Sequence, residues 1–241
     1  MPDPTRTNVA TGTGSLATTT ASFGFTATAN RLLVLVIGAD DYKTGNPSGW
    51  TLSPGCSQEV YLGHYVFWKI ASGGETSVQY TIGSASKSAW LVCEFDNIDT
   101  SSPLDVSNGQ NRIASASSYT TPSVTPSTGR RFALASMGFS RGSFDFTGVG
   151  TWLNSFTEQA ESYVNGGGTR DAIGLASLAL DGNGSTSVSS GATCTATGGN
   201  ADSQTGIILV FRVATGGGGG SIKSWPPQMQ GGMRSLTGGM Q

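Results

Sequence analysis

Apolar and polar residues alternate through most of the chain, and a period of two marks strands with one buried face. Val78, Tyr80 and Ile82 alternate with Ser77, Gln79 and Thr81, while Val60, Leu62, Val66, Trp68 and Ile70 share one parity in QEVYLGHYVFWKI. Val188, Ala192, Cys194 and Ala196 do the same against Ser187, Ser189, Thr193 and Thr195. Two continuous apolar runs, Leu32 to Ile37 and Ile207 to Phe211, predict central strands covered on both faces. Clusters of Gly, Asn, Ser and Pro at 44–49, 72–74, 107–111, 165–168 and 181–185 predict turns between them. Only SFTEQAESYV at 155–164 offers a helix, through the capping-box spacing of Ser155 and Glu158, and its Phe156, Thr157 and Tyr163 fit a strand as well. About nine or ten strands without a convincing helix predict an all-β fold, an antiparallel two-sheet β-sandwich of the jelly-roll type. The sandwich is expected over residues 15–214, after an N-terminal arm at 1–14.

The two halves of the chain echo each other. RLLVLVIGADD at 31–41 corresponds to RFALASMGFSR at 131–141, and each is followed by a Gly/Ser stretch and a tryptophan, in GWTL at 49–52 and GTWL at 150–153. SAWLVCEFDNI and TGIILVFRVA each close a half with a buried strand. Such a pattern arises from duplication, or from one strand order met twice in a Greek-key sandwich.

Composition narrows the possible partners. Charged residues make up 12% of the chain and glycines number 36, so hydroxyls and amides must supply solubility. A net charge of −2 without a Lys/Arg cluster gives no footprint for nucleic acid. No apolar run reaches the roughly 18 residues that suggest a membrane helix, and MPDPTRTNVATGTGS lacks the basic and apolar regions of a secretory signal. Cys56, Cys93 and Cys194 have no metal-ligand spacing and are expected as reduced thiols.

Candidate chemistry is sparse. The lone histidine, His64, sits at the apolar parity of its strand and is expected to be a packed structural residue; no Gly-x-Ser-x-Gly elbow accompanies it. Asp40, Asp41, Glu59, Glu75, Glu94, Asp96 and Asp99 could in principle supply the carboxylate pair of a glycosidase, but aspartates at strand ends usually cap turns. Glu94 and Asp96 would place their α-carbons about 7 Å apart. Asp96 and Asp99 alone are too few for calcium, and no metal or cofactor is expected. Asp41, Tyr42, Asn46 and Trp50 form one loop that combines aromatic and polar groups, the mix that binds sugars, with Trp50 as a core anchor as the plainer alternative.

A separate signal lies in the last segment. Five glycines at 216–220 predict a flexible linker. Beyond it Ile222, Trp225, Met229, Met233, Leu236 and Met240 space apolar anchors along a backbone broken by Pro226 and Pro227. Extended docking into a partner's groove fits this better than a helix does.

NRLLVLVIGADD, then PSGWTL, then YVFWKIASGGETSVQYTI with Lys69, Ala71, Gly74 and Glu75 in a K-x-A-x-x-G-E pattern, then SPLDV, resembles a β-sandwich group common among bacteriophage minor tail and other virion proteins. The resemblance covers about residues 15–214 and implies a structural or adhesive role rather than an enzymatic one. The expected role is a tail- or fibre-associated virion component among other virion proteins, and a homo-oligomer such as a trimer or ring is expected without a sequence feature that derives it. The alternatives are a capsid decoration or head-fibre protein and a module adhering to host-surface glycans; a carbohydrate-active enzyme has less support.

Overall fold

The period-two patterns fold as strands throughout the computed structural model, which describes residues 2–41, 43–54, 57–59, 62–83, 87–166, 170–182, 186–196 and 199–215. The first half runs through β1 (Arg6–Gly14), β2 (Thr18–Ser22), β3 (Leu32–Ala39), β4 (Thr51–Leu52), β5 (Ser57–Glu59), β6 (Leu62–Ile70), β7 (Ser77–Thr81) and β8 (Ser88–Phe95). The second runs through β9 (Leu104–Ala116), β10 (Ser118–Thr120), β11 (Arg131–Arg141), β12 (Phe146–Trp152), β13 (Thr157–Val164), β14 (Arg170–Leu180), β15 (Gly191–Ala196) and β16 (Ala201–Arg212). Every pairing between named strands is antiparallel, and no helix occurs among the described residues.

The two halves have closely similar topologies. One large sheet is ordered β1-β8-β3-β6, with β4 and β5 on its far edge; the other is β9-β16-β11-β14, with β13 in that place. The small sheets are β2-β7 and β10-β15-β12, and a Lys43–Ile82 bridge beside β7 stands where β12 stands in the second half. Counted within each half, the second has strands 1-8-3-6-5 facing 2-7-4, and the first has 1-8-3-6, with strands 4 and 5 both on strand 6, facing 2-7, so each is jelly-roll-like. One irregularity recurs: β1 bulges between Arg6 and Asn8 opposite Phe95 and Glu94, and β9 bulges between Leu104 and Val106 opposite Phe211 and Val210. A bulge repeated at one topological position argues for duplication over chance recurrence, because bulges are kept as built features of a fold.

Four sheet layers result, and the two large sheets face each other in the middle. Alternation along β3 explains why its apolar run is continuous. Leu32, Val34 and Val36 point into the central core with Phe132, Leu134, Leu209 and Phe211, while Leu33, Leu35 and Ile37 point outward to Phe23, Val78 and Tyr80. Trp68 packs at the central core's margin, edge-on to Phe211 at 5.8 Å.

A local two-fold relation governs this middle layer. Gly38 pairs with His64 across β3 and β6, and Gly138 pairs with Ile173 across β11 and β14. A Cβ on Gly38 would lie 2.5 Å from Ile173 Cγ2, and one on Gly138 would lie 2.8 Å from His64 Cγ. Each glycine thus receives the side chain that neighbours its counterpart, the reciprocity of an isologous contact. At the sheets' other end Ile98 and Val213, which follow the last strand of each half, form an antiparallel bridge.

Three expectations need correction. Residues 6–14, expected as an arm, are strand β1, with Gly12 covered by Trp90 and Gly14 by Thr19 and Ser88. Its Thr- and Gly-rich sequence hides a strand whose small residues admit large neighbours. Residues 107–111, expected as a turn, lie inside β9, an edge strand whose outer side tolerates polar side chains. The candidate helix is β13 from Thr157 onward: Ser155 has φ 64°, outside the β-region conformation an N-cap adopts.

Candidate functional site

A groove of about 430 Å³ opens on the outer side of the first half, between the loop after β3 and strand β7. Asn46, Trp50, Lys69, Glu75, Gln79 and Tyr80 are among its lining residues. Local backbone chemistry builds each wall. After β6 the chain turns through Gly73 and Gly74, both at φ 91°, a conformation that side chains other than glycine rarely adopt. This turn brings Glu75 back over the end of β6, where its Oε1 accepts from Lys69 Nζ at 2.8 Å and from the Ser72 N–H and hydroxyl at 2.9 Å each. Burial pushes the Glu75 carboxyl up, but these donors outweigh it and bring the pKa down to about 2. The carboxylate is therefore a fixed acceptor and a poor proton donor near neutrality. Its other oxygen, Oε2, is buried without a hydrogen-bond partner.

The opposite wall is the loop 44–50. Trp50 N–H donates to Pro47 O at 3.1 Å, Gly49 adopts φ 77°, and Lys43 Nζ reaches Asn46 Oδ1 at 3.0 Å. The indole of Trp50 descends into the core between the first half's two sheets and is 9% exposed, while Lys69 Nζ lies 6.0 Å above its ring. Trp152, its counterpart in GTWL, likewise packs partly buried against the second half's cores.

Of the proposed sugar-binding residues, Asn46 and Trp50 meet in this groove. Asp41 lies before it, its backbone oxygen close to Gly63, and is not among the groove's lining residues. Tyr42 lies outside the described residues, as do Ile222, Trp225, Pro226, Pro227, Met229, Met233, Leu236 and Met240. Sequence reasoning did not assign Lys69, Glu75 and Gln79 to the site. Their signal was the K-x-A-x-x-G-E pattern with its paired glycines, which sets a cation and an anion on either side of one tight turn.

The other candidates are structural. His64 is fully enclosed, and burial lowers its pKa to about 3. Its Nε2 lies 2.9 Å from Ser136 Oγ, and its Nδ1 meets Thr205 Oγ1. Ser136 donates to Gly174 O at 3.2 Å, so Nε2–H donates to Ser136 and Nδ1 accepts from Thr205. Glu94 is also fully buried and cannot pair with Asp96 for catalysis. It accepts from Thr28 N–H (2.6 Å), Asn8 Nδ2 (2.6 Å), Thr7 Oγ1 (2.7 Å) and Arg31 Nη1 (3.2 Å). Asp99 caps a turn through Ser101 and Ser102, as sequence position implied. Cys93 is a free buried thiol, pushed up to about 12 by burial.

Fold and groove together define a class: an all-β, jelly-roll-like sandwich protein of two similar halves with a polar groove, lined in part by an indole, on one half. No family model, curated protein or solved structure matches the chain.

Proposed function

We propose that the chain is a non-enzymatic structural component of a bacteriophage virion, associated with the tail or its fibres, displaying paired jelly rolls and attached through residues 216–241. The observation that carries this reading is the jelly-roll-like sandwich of each half, an architecture common in viral capsid domains and lectins. Fold alone hosts many roles, so composition adds a second support. A surface with few charges and many hydroxyls suits packing among repeated subunits, whose contact cores are depleted in charge. Immunogold labelling and cryo-electron microscopy of purified particles test it: label is expected on the tail or its fibres. A chain ending at residue 215 is expected to melt at the wild-type temperature and to be missing from particles. Recovery of the full chain only outside particles would overturn the proposal, and label confined to the head would replace it with a capsid-decoration role.

Adhesion through the groove is the second reading, favoured by the buried, unpartnered Glu75 Oε2 beside the exposed amides of Asn46 and Gln79. Amide and carboxylate groups of this kind take the hydroxyls of a sugar. The double substitution Asn46→Ala and Gln79→Ala is expected to reduce glycan-array binding at least tenfold. Its stability should stay within about 0.5 kcal/mol of wild type, as is usual for surface positions. Unchanged binding by the folded variant would leave the groove without an adhesive role.

A further inference from the structure

One end of the layer between the large sheets is polar. On the second sheet, Asp171, Ser140 and Ser203 occupy one register row across β14, β11 and β16. Their parity is that of Ile173, Gly138 and Thr205, so all three side chains face the first sheet. Asp171 and Ser140 are 0% exposed and Ser203 is 2% exposed. No oxygen of Asp171 and neither hydroxyl has a partner at full hydrogen-bond geometry, although the Ser140 hydroxyl lies close enough to Asp171 to favour its charged form. From the first sheet, a Cβ on Gly38 would lie 3.8 Å from Asp171 Cβ, and Asp40 follows two residues later, just past the end of β3 and near enough for its charge to act on Asp171. Asp40 is only half-buried, but its Oδ1 is buried and also unpartnered. Five oxygens, from the end of one strand and one row of the facing sheet, therefore gather here, and the two serine hydroxyls bring the hydrogens among them.

Buried polar groups left unsatisfied point to a missing water or ion. Burial pushes the Asp171 carboxyl well above its usual range, and the neighbouring charge of Asp40 adds to this. The serine hydroxyls and a water supply donors but no counter-charge for two carboxylates. No basic side chain among the described residues pairs with either aspartate. Lys87, beyond the end of β8, donates to Asn165 O at 3.2 Å. Arg141 and Arg170 have the opposite parity and turn to the other face, where Arg170 pairs with Asp145 and Arg141 donates to Gly199 O.

We propose that Asp171 and Asp40, with the Ser140 and Ser203 hydroxyls, bind a hard divalent cation of the calcium type at this end of the central layer. The donor set is oxygen only, which suits calcium or magnesium over zinc or copper. Two carboxylates neutralise the ion, and bound water completes its shell, with the serines contacting the ion or that water. Asp40's partial exposure gives the route of entry.

The test is thermal unfolding of the full chain after chelation, then with added calcium or magnesium chloride, alongside calcium titration calorimetry. Calcium is expected to raise the melting temperature of wild type by a few degrees, and Asp40→Asn to weaken calcium binding at least tenfold. Asp171→Asn is expected to abolish the calcium response; Asp40→Asn, at a half-buried position, keeps the test valid where Asp171→Asn does not fold. Absence of any calcium or magnesium response in wild type, or an equal response in wild type and Asp40→Asn, would sink the proposal. A metal-insensitive wild type that Asp171→Asn stabilises at neutral pH would also do so, since the pair would then share a proton.

Discussion

Replacing His64 with isoleucine lowers stability by about 2–4 kcal/mol, while His64→Ile combined with Ser136→Val and Thr205→Ala returns to within about 1 kcal/mol of wild type. The single change strands the Thr205 hydroxyl and takes from Ser136 its imidazole donor, and an unpaired buried hydroxyl costs about 1–3 kcal/mol. The triple change copies the pseudo-symmetric position, where Ile173, Val36 and Ala89 occupy the equivalent places in an apolar core. Urea unfolding of the three chains decides it, and a triple variant as weak as the single one would refute this account. Acid provides a second reading of the same site. Burial depresses the His64 pKa in the folded chain from 6.5 to about 3, so between those values the unfolded chain binds the extra proton. His64's contribution is complete above pH 6.5 and is lost as pH falls, by up to about 1.4 kcal/mol per pH unit. Asp171, with a raised pKa, titrates with the opposite sign. The slope is therefore taken as the difference between wild type and the triple variant; the chain has 1 histidine, so no other imidazole contributes.

Glu94→Ala is expected to cost about 3–5 kcal/mol, the range for breaking a buried, hydrogen-bonded charge pair from one side. Four donors converge on this carboxylate from β1, from the loop before β3 and from Arg31. The second half solves the same problem with the acid on another strand. Arg131, the counterpart of Arg31, pairs with Asp105 at 3.0 Å, and Asp105 is the bulge residue of β9 where β1 has Thr7. Arg212 and Ser127 complete that site. Burial raises the Glu94 carboxyl, but its donors prevail and hold it below the usual range. Its contribution is therefore present above the ordinary carboxylate pKa and fades as pH falls through the folded value, below the upper part of the His64 window. Denaturant titration at neutral pH measures the cost; a loss under about 1 kcal/mol would show that the donors find other partners.

The strands were legible because burial on one face forces alternation, and β3 and β16 because burial on both faces removes it. What covers each face was not legible. Leu33 and Val34 are equally apolar, yet one meets a two-stranded sheet of its own half and the other meets the opposite half. Strand β1 escaped notice because its neighbours, not its own side chains, supply the bulk: Trp90 fills the space that Gly12 leaves. Asn46 and Trp50 stood out in the groove through residue type, whereas Lys69 and Glu75 belong to it only because two glycines fold the chain back.

The polar trio of His64, Ser136 and Thr205 also bears on which surfaces meet. Each large sheet carries a similar apolar face, so two first halves from separate molecules, or two second halves, could in principle clasp each other in place of the intended match. In a pair of first halves, His64 would face Val36 and Ala89 and lose both partners; in a pair of second halves, Ser136 and Thr205 would face Ile173. Only the mixed pairing gives all three of these groups their partners. A single imidazole and two hydroxyls thus act as an address that selects unlike halves over like ones.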